Sequence, residues 1–173
     1  MMRDTQHILN ENIITTEWYN VLNSVRWISP YFVTPTQKQF LGGYNKRGYF
    51  QSTKIGSIES SINTKHFLNR LNQKCFGNSF RRFNRRIKSF VVMEGNTKTV
   101  RHHSHMILEK PPTITESVWL KLINDCWSKT TYGYRHLDIQ PIYDVEILNQ
   151  YLLKTKTKVE DIQSTIDVMN THF

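Results

Sequence analysis

Residues 87–108 read IKSFVVMEGNTKTVRHHSHMIL. Two runs rich in β-branched and aromatic residues, 87–93 and 100–108, flank Gly95-Asn96, a dipeptide suited to a turn. The spacing predicts an antiparallel pair of strands. A lone hairpin is marginal in water and has to lay one face on a core, so the chain on either side must supply that core. Upstream, residues 57–76 place Ile58, Ile62, Leu68, Leu71 and Cys75 at spacings compatible with one helix, and Gly77 is its stop. Downstream, Thr115 opens a second helix with Val118, Leu122, Ile123 and Cys126 on or near one face.

Outside this kernel, Tyr31-Phe32-Val33-Thr34 is β-rich and is expected to end at Pro35, which has no N–H for a ladder. Residues 134–142 read as a further strand. Residues 41–56 carry four glycines and read as a long loop. Residues 15–27 place Trp18, Val21, Leu22 and Val25 at helical spacing, so residues 1–30 are expected to form an N-terminal extension with a short helix. The domain proper then covers 31–173. Asp144 is suited to cap a helix over 145–155, and a C-terminal helix is expected from about Val159. The order predicts an α+β fold: a central antiparallel sheet of about five strands, ferredoxin-like, with flanking helices.

The 173 residues suffice for one domain with a real core. No apolar run reaches the length of a membrane span, and the N-terminal stretch lacks the apolar region of a secretory signal. Two separated cysteines in no CxxC pair, Cys75 and Cys126, speak against a disulfide scaffold and a cysteine zinc site, and suit a reducing cytoplasm. The 23 Lys and Arg outnumber 14 Asp and Glu, a formal charge of +9, which suits a polyanionic partner. Residues 80–88, FRRFNRRIK, put Arg81, Arg82, Arg85, Arg86 and Lys88 among Phe80 and Phe83. Cations neutralise phosphates and aromatic rings stack on bases, so this segment is a candidate DNA contact. The glycine-rich loop adds Lys46 and Arg47. A solvated basic surface is the plainer alternative.

The second strand carries His102-His103-Ser104-His105. Side chains two apart on a strand share a face, so His103 and His105 project together and His102 projects away. Glu94 ends the preceding strand and lies beside them if the two strands pair. Two imidazoles and a carboxylate make a mixed N/O site for a divalent ion, Mg²⁺ or Mn²⁺. The alternative is a pair of exposed histidines near a solvated glutamate. On the expected helix 145–155, Val145, Leu148 and Leu152 form the core stripe, with Tyr151 and Lys154 adjacent beside it. A tyrosine next to a cation can act as a nucleophile on phosphorus; it can equally be a boundary residue that packs its ring. The tryptophans Trp18, Trp27, Trp119 and Trp127 read mainly as core. His136 and Asp138 share a strand face and read as surface residues.

Taken in order, Phe32-Val33-Thr34-Pro35-Thr36, Glu94, His103-Ser104-His105 and Tyr151-Leu152-Leu153-Lys154 resemble the HUH endonucleases. More narrowly, they resemble the rolling-circle replication initiators (Rep proteins) of plasmids, phages and circular single-stranded DNA viruses. The resemblance spans roughly residues 31–158. It implies that Glu94, His103 and His105 hold a divalent metal. It implies that Tyr151 attacks the scissile phosphate of single-stranded origin DNA, and that Lys154 positions the phosphate or the metal-bound water. The products are a 5′-phosphotyrosine and a free 3′-OH, and a later 3′-OH can rejoin the strand. Partners implied are single-stranded DNA, an origin or a hairpin, with a host helicase and polymerase; no membrane is involved. Ser104 departs from the family, which usually has a bulky apolar residue between the histidines. The helicase domain of many viral Reps is absent from these residues.

Two other readings stay open on the sequence. A single-tyrosine transposase uses the same metal site and nucleophile, although its tyrosine helix more often carries a Gln partner. A non-catalytic DNA-binding module on the same fold needs the basic segment but not convergence of the metal triad with Tyr151.

Overall fold

The computed structural model describes residues 16–95, 102–144 and 166–173. A helix α1 covers residues 16–24. It is followed by β1 (Pro30–Gln37), β2 (Phe40–Tyr44), β3 (Phe50–Lys54), α2 (Ser57–Phe76) and α3 (Asn78–Phe83). Then come β4 (Ser89–Glu94), β5 (His103–Glu109), α4 (Glu116–Ser128), β6 (Gly133–Pro141) and a 3₁₀ turn at Val168–Asn170. The expected helix 145–155, with Tyr151 and Lys154, lies outside the described residues, as does the start of the expected C-terminal helix.

The fold is α+β. β4, β5, β1 and β6 form one antiparallel sheet in that order, and β2 pairs with β3 separately. Taken with α2 and α4, the four sheet strands follow β-α-β-β-α-β, the split-βαβ arrangement. Among the described residues the sheet has four strands, where about five were expected. The C-terminal segment runs along the outer edge of β4 through single bridges, Val92 to Ile166 and Ser89 to His172, without becoming a fifth strand.

The two strands of the kernel pair as read. β4 pairs with β5 in the register Val92↔His105 and Glu94↔His103. One sheet face packs on α2 and α4: Tyr31, Val33, Val91, Met106 and Leu108 meet Phe67, Leu68, Leu71, Trp119, Ile123 and Trp127. Among the described residues a smaller cluster packs on the opposite face. Phe90, Val92 and Ile107 meet Leu22 of α1 and Ile166, with Trp18, Trp27 and Phe32 at the margin. The helix of the N-terminal extension thus contributes to the core.

Three expectations are corrected. β1 does not end at Pro35 but runs to Gln37. The register against β6 shifts between Pro35 and Gln37, and a bulge is where a strand tolerates a residue without an N–H. Residues 41–56 are not a long loop, because 40–54 form the β2–β3 hairpin. Finally, Ile58 and Ile62 do not join the α2 core stripe; they are 73% and 50% exposed. Asn63, Thr64 and Asn72 are buried instead. Their polar atoms serve the fold: Asn63 Oδ1 accepts from Tyr132 N–H at 3.0 Å and Asn72 Oδ1 from Ile87 N–H at 2.8 Å, which offsets the cost of burying an amide. Among the described residues no helix is long and apolar enough to cross a membrane.

Candidate metal centre on the β4–β5 pair

Among the described residues, the apolar cluster on this face gives way to polar side chains at the C-terminal end of β4 and the N-terminal end of β5, where Glu94 and His103 are half-buried and His105 is buried. Alternation sends His103, His105 and Ile107 to this face and Ser104, Met106 and Leu108 to the helices. Glu94 stands opposite His103 in the ladder. Its carboxylate Oε2 lies 3.4 Å from His103 Nε2 and 3.4 Å from His105 Nε2. One ligand atom from each residue falls within 4.8 Å of the others, so the three donors converge on one point. Hydrogen bonds from His103 first and His105 second hold the Glu94 carboxyl well below the usual carboxylate range, against a partial desolvation that pushes it up.

β1 supplies what orients the site. Thr34 Oγ1 lies 3.1 Å from His105 Nδ1. With Nε2 turned to Glu94, a neutral His105 that offers Nε2 as a ligand carries its proton on Nδ1 and donates it to Thr34. The Phe32 ring lies parallel to the His105 ring at 5.4 Å, with an interplanar angle of 8°. Phe32 and Thr34 are two apart and face the site, while Val33 between them is fully buried under the helices. The Phe-x-Thr pattern therefore holds His105 from behind and from the side.

Gln39 was not visible as a site residue in the sequence. Its side chain receives the His102 N–H at 2.8 Å and donates to the His102 carbonyl at 3.0 Å, a two-point brace on the backbone beside His103. His102 itself is buried away from the triad, and burial first, then the Lys54 charge, lowers its pKa. Ser104, fully buried, faces α2, where Thr64 Oγ1 lies 3.5 Å from its hydroxyl. Thr64 thus gives this buried hydroxyl a polar neighbour.

Two imidazole nitrogens and a carboxylate oxygen, one imidazole with its second nitrogen engaged, suit a divalent ion such as Mn²⁺ or Mg²⁺ with further positions for water or phosphate oxygen. His136 and Asp138 also lie on this side of the sheet but outside the triad. Asp138 stands opposite Thr34 in the ladder and accepts from Gln140 Nε2 at 2.8 Å. Tyr134 is 47% exposed and near His136, with rings 5.9 Å apart. Tyr31 is a poor nucleophile: burial first, then its hydrogen bond to Glu116, push its phenol to about 12. Burial likewise pushes Cys75 to about 12 and raises Cys126, so both remain thiols.

The basic segment lies elsewhere. Lys88 precedes β4 and Glu94 ends it, so six residues of strand, about 20 Å, separate them. Arg85 stacks over Phe76 at 4.8 Å and Arg86 over Phe80 at 4.9 Å. Arg86 also donates to Asn84 and Asn69, and Lys88 to the Arg26 carbonyl. Arg81 lines a cavity of about 520 Å³ between α2, α3 and α4. Tyr151 and Lys154 lie outside the described residues. Ile166, the first residue described after them, bridges Val92, the ladder partner of His105.

No family model, curated protein or solved structure matches this chain.

Proposed function

We propose that this protein is a metal-dependent endonuclease and strand transferase of the replication-initiator type, acting on single-stranded DNA. The observation that carries the reading is the convergence of Glu94, His103 and His105 from two neighbouring strands on one face of the sheet. A structural ion pair would have little use for two histidines aimed at one carboxylate, one of them held from behind by a threonine. When bound, a divalent ion supplies Lewis-acid polarisation of a phosphodiester oxygen and charge neutralisation at phosphorus.

The remaining chemistry belongs to the chain. Tyr151 is the proposed nucleophile: its Oη forms a bond to phosphorus while the bond from phosphorus to the 3′-oxygen breaks. The phenol proton is released and the leaving 3′-oxygen takes up a proton, so the products are a 5′-phosphotyrosine and a 3′-OH. Lys154 is proposed to hold the phosphate and offset the charge that develops on it. The phosphotyrosine keeps the energy of the phosphodiester, so attack by another 3′-OH reverses the step and joins strands. The 3′-OH can prime a polymerase, with unwinding supplied by a helicase or by supercoiling.

The test uses the full chain, 5′- or 3′-labelled single-stranded oligonucleotides and Mn²⁺. The expected result is a covalent adduct carrying the fragment 3′ to the nick, with peptide mapping to Tyr151. It should vanish in Tyr151→Phe, in the His103→Ala/His105→Ala double variant and in EDTA. An adduct that persists in the double variant would overturn the metal assignment; one mapped to the exposed Tyr134 would move the nucleophile.

A further inference from the structure

The hairpin β2–β3 stands clear of the core, and its composition is unusual for a solvated arm. Residues 38–54 contain four cations, Lys38, Lys46, Arg47 and Lys54, and no Asp or Glu. They also contain four aromatics that face solvent: Phe40, Tyr44, Tyr49 and Phe50 are 59%, 78%, 68% and 63% exposed. Exposed aromatics at this density mark an interaction surface.

The arm is also built to hold its shape without a core. A two-stranded hairpin is marginal alone, yet this one is braced at both ends. At the tip, the Asn45 side chain accepts from Arg47 N–H at 2.9 Å and Tyr49 N–H at 3.0 Å. Gly48 takes the positive φ of +79° that the turn requires. Along one face the Phe50 ring meets Tyr44 edge-on at 5.5 Å and rests on Gly42, where a Cβ would come within 2.4 Å of the ring. At the root, Ile55 N–H donates to Gln39 O at 2.9 Å, and the Gln39 side chain grips the His102 backbone beside His103. The arm therefore springs from the metal end of the sheet, and its five-residue strands carry its tip about 17 Å away.

We infer that this hairpin is a binding arm for single-stranded nucleic acid that leads a strand toward the metal centre. The aromatics stack on unpaired bases, and Lys46 and Arg47 at the tip meet the backbone phosphates. Charge chooses the partner: a surface with four cations and no acid suits a polyanion, and solvent-facing rings suit one whose bases are unstacked. Bracing lowers the ordering cost of the bound state. The inference deepens the proposed function in naming what guides the substrate, but its test does not depend on cleavage.

The experiment is a fluorescence-anisotropy titration of the full chain, in EDTA, with labelled oligo-dT of about 20 nucleotides and with a duplex of equal length. Tyr44→Leu keeps an apolar contact for Phe50, and Phe40→Leu is a second exposed substitution. Each is expected to weaken single-strand binding about 5- to 50-fold and duplex binding less than about threefold, with the melting temperature unchanged. Lys46→Gln/Arg47→Gln is expected to lower the salt slope on the single strand by about 1.4, at roughly 0.7 per phosphate contact. Single-strand affinity within twofold of wild type for both aromatic variants overturns the inference. So does an equal loss on duplex, which would make the arm a duplex reader. A wild-type dimer in sedimentation velocity that Tyr44→Leu dissolves, with DNA affinity unchanged, would make it a self-association surface. Cleavage with Mn²⁺ is scored separately. A chain that never nicks but loses single-strand affinity in Tyr44→Leu keeps the arm and rejects the endonuclease; a nicking chain indifferent to Tyr44 and Phe40 does the reverse.

Discussion

Replacing Thr34 by valine removes one oxygen and tests whether the β1 motif serves the metal centre. Thr34 Oγ1 lies 3.1 Å from His105 Nδ1, and His105 is only 9% exposed. In Thr34→Val the imidazole keeps its place beside Phe32, but in the tautomer that offers Nε2 to a metal its Nδ1 proton loses its acceptor. An unsatisfied, largely buried donor costs about 1–3 kcal/mol. The ring can recover part of this by taking the other tautomer, with the proton on Nε2. That tautomer presents a donor to Glu94 and no lone pair to a metal. Loss of such a supporting hydrogen bond typically weakens metal binding by 10- to 100-fold, or about 1.4–2.7 kcal/mol, which matches the hydrogen-bond cost. The assay is Mn²⁺ binding, by the loss of the free-ion electron paramagnetic resonance signal, for wild type, Thr34→Val and Thr34→Ser. Serine keeps the hydroxyl and is expected to restore affinity to within about threefold of wild type. Equal Mn²⁺ affinity in wild type and Thr34→Val would refute the reasoning. So would a loss in Thr34→Ser as large as that in Thr34→Val.

Three further outcomes are expected. Arg81→Gln/Arg82→Gln should lower the salt slope of DNA binding by up to about 1.8, at ~0.9 per contact, without changing the melting temperature. Arg86→Gln should instead destabilise the fold, because that guanidinium stacks on Phe80 and donates to Asn84 and Asn69; an unchanged slope in the first variant or an unchanged melt in the second refutes the respective role. His172 has its pKa lowered by burial first and then by Arg86. The unfolded chain therefore takes up this proton first, and the His172 contribution to stability, present above the unfolded value near 6.5, is lost as pH falls from there through the folded value; urea melts of His172→Gln should show a shallower acid decline than wild type. Trp119→Ala, which empties a fully buried site against Tyr31, should cost about 3–5 kcal/mol and lower the thermal midpoint by roughly 6–20 °C; a drop under about 2 °C would mean that this core is not what holds α4.

The kernel of this fold was written in local sequence. Alternation along 87–108 defines two strands and sends His103 and His105 to one face, because the pleat leaves no other choice. Pairing those strands is enough to bring Glu94 beside them. The bounds of α2 were equally legible, from its apolar spacing and from Gly77, which holds a φ of +54°. Tertiary structure decided what depends on residues distant in the chain. Thr34 and His105 are 71 positions apart, and Gln39 and His102 are 63 apart, so no local pattern encodes their contacts. α2 buries Asn63, Thr64 and Asn72 while exposing Ile58 and Ile62, because Tyr132, Ser104 and Ile87 present polar groups to it from other elements. Pro35 stays in a strand because a bulge against β6 excuses its missing N–H. Residues 40–54 form a hairpin because Asn45 braces the turn and the Gln39 side chain, facing His102, anchors its root. Propensity read glycine as loop there; packing of Phe50 over Gly42 made it strand.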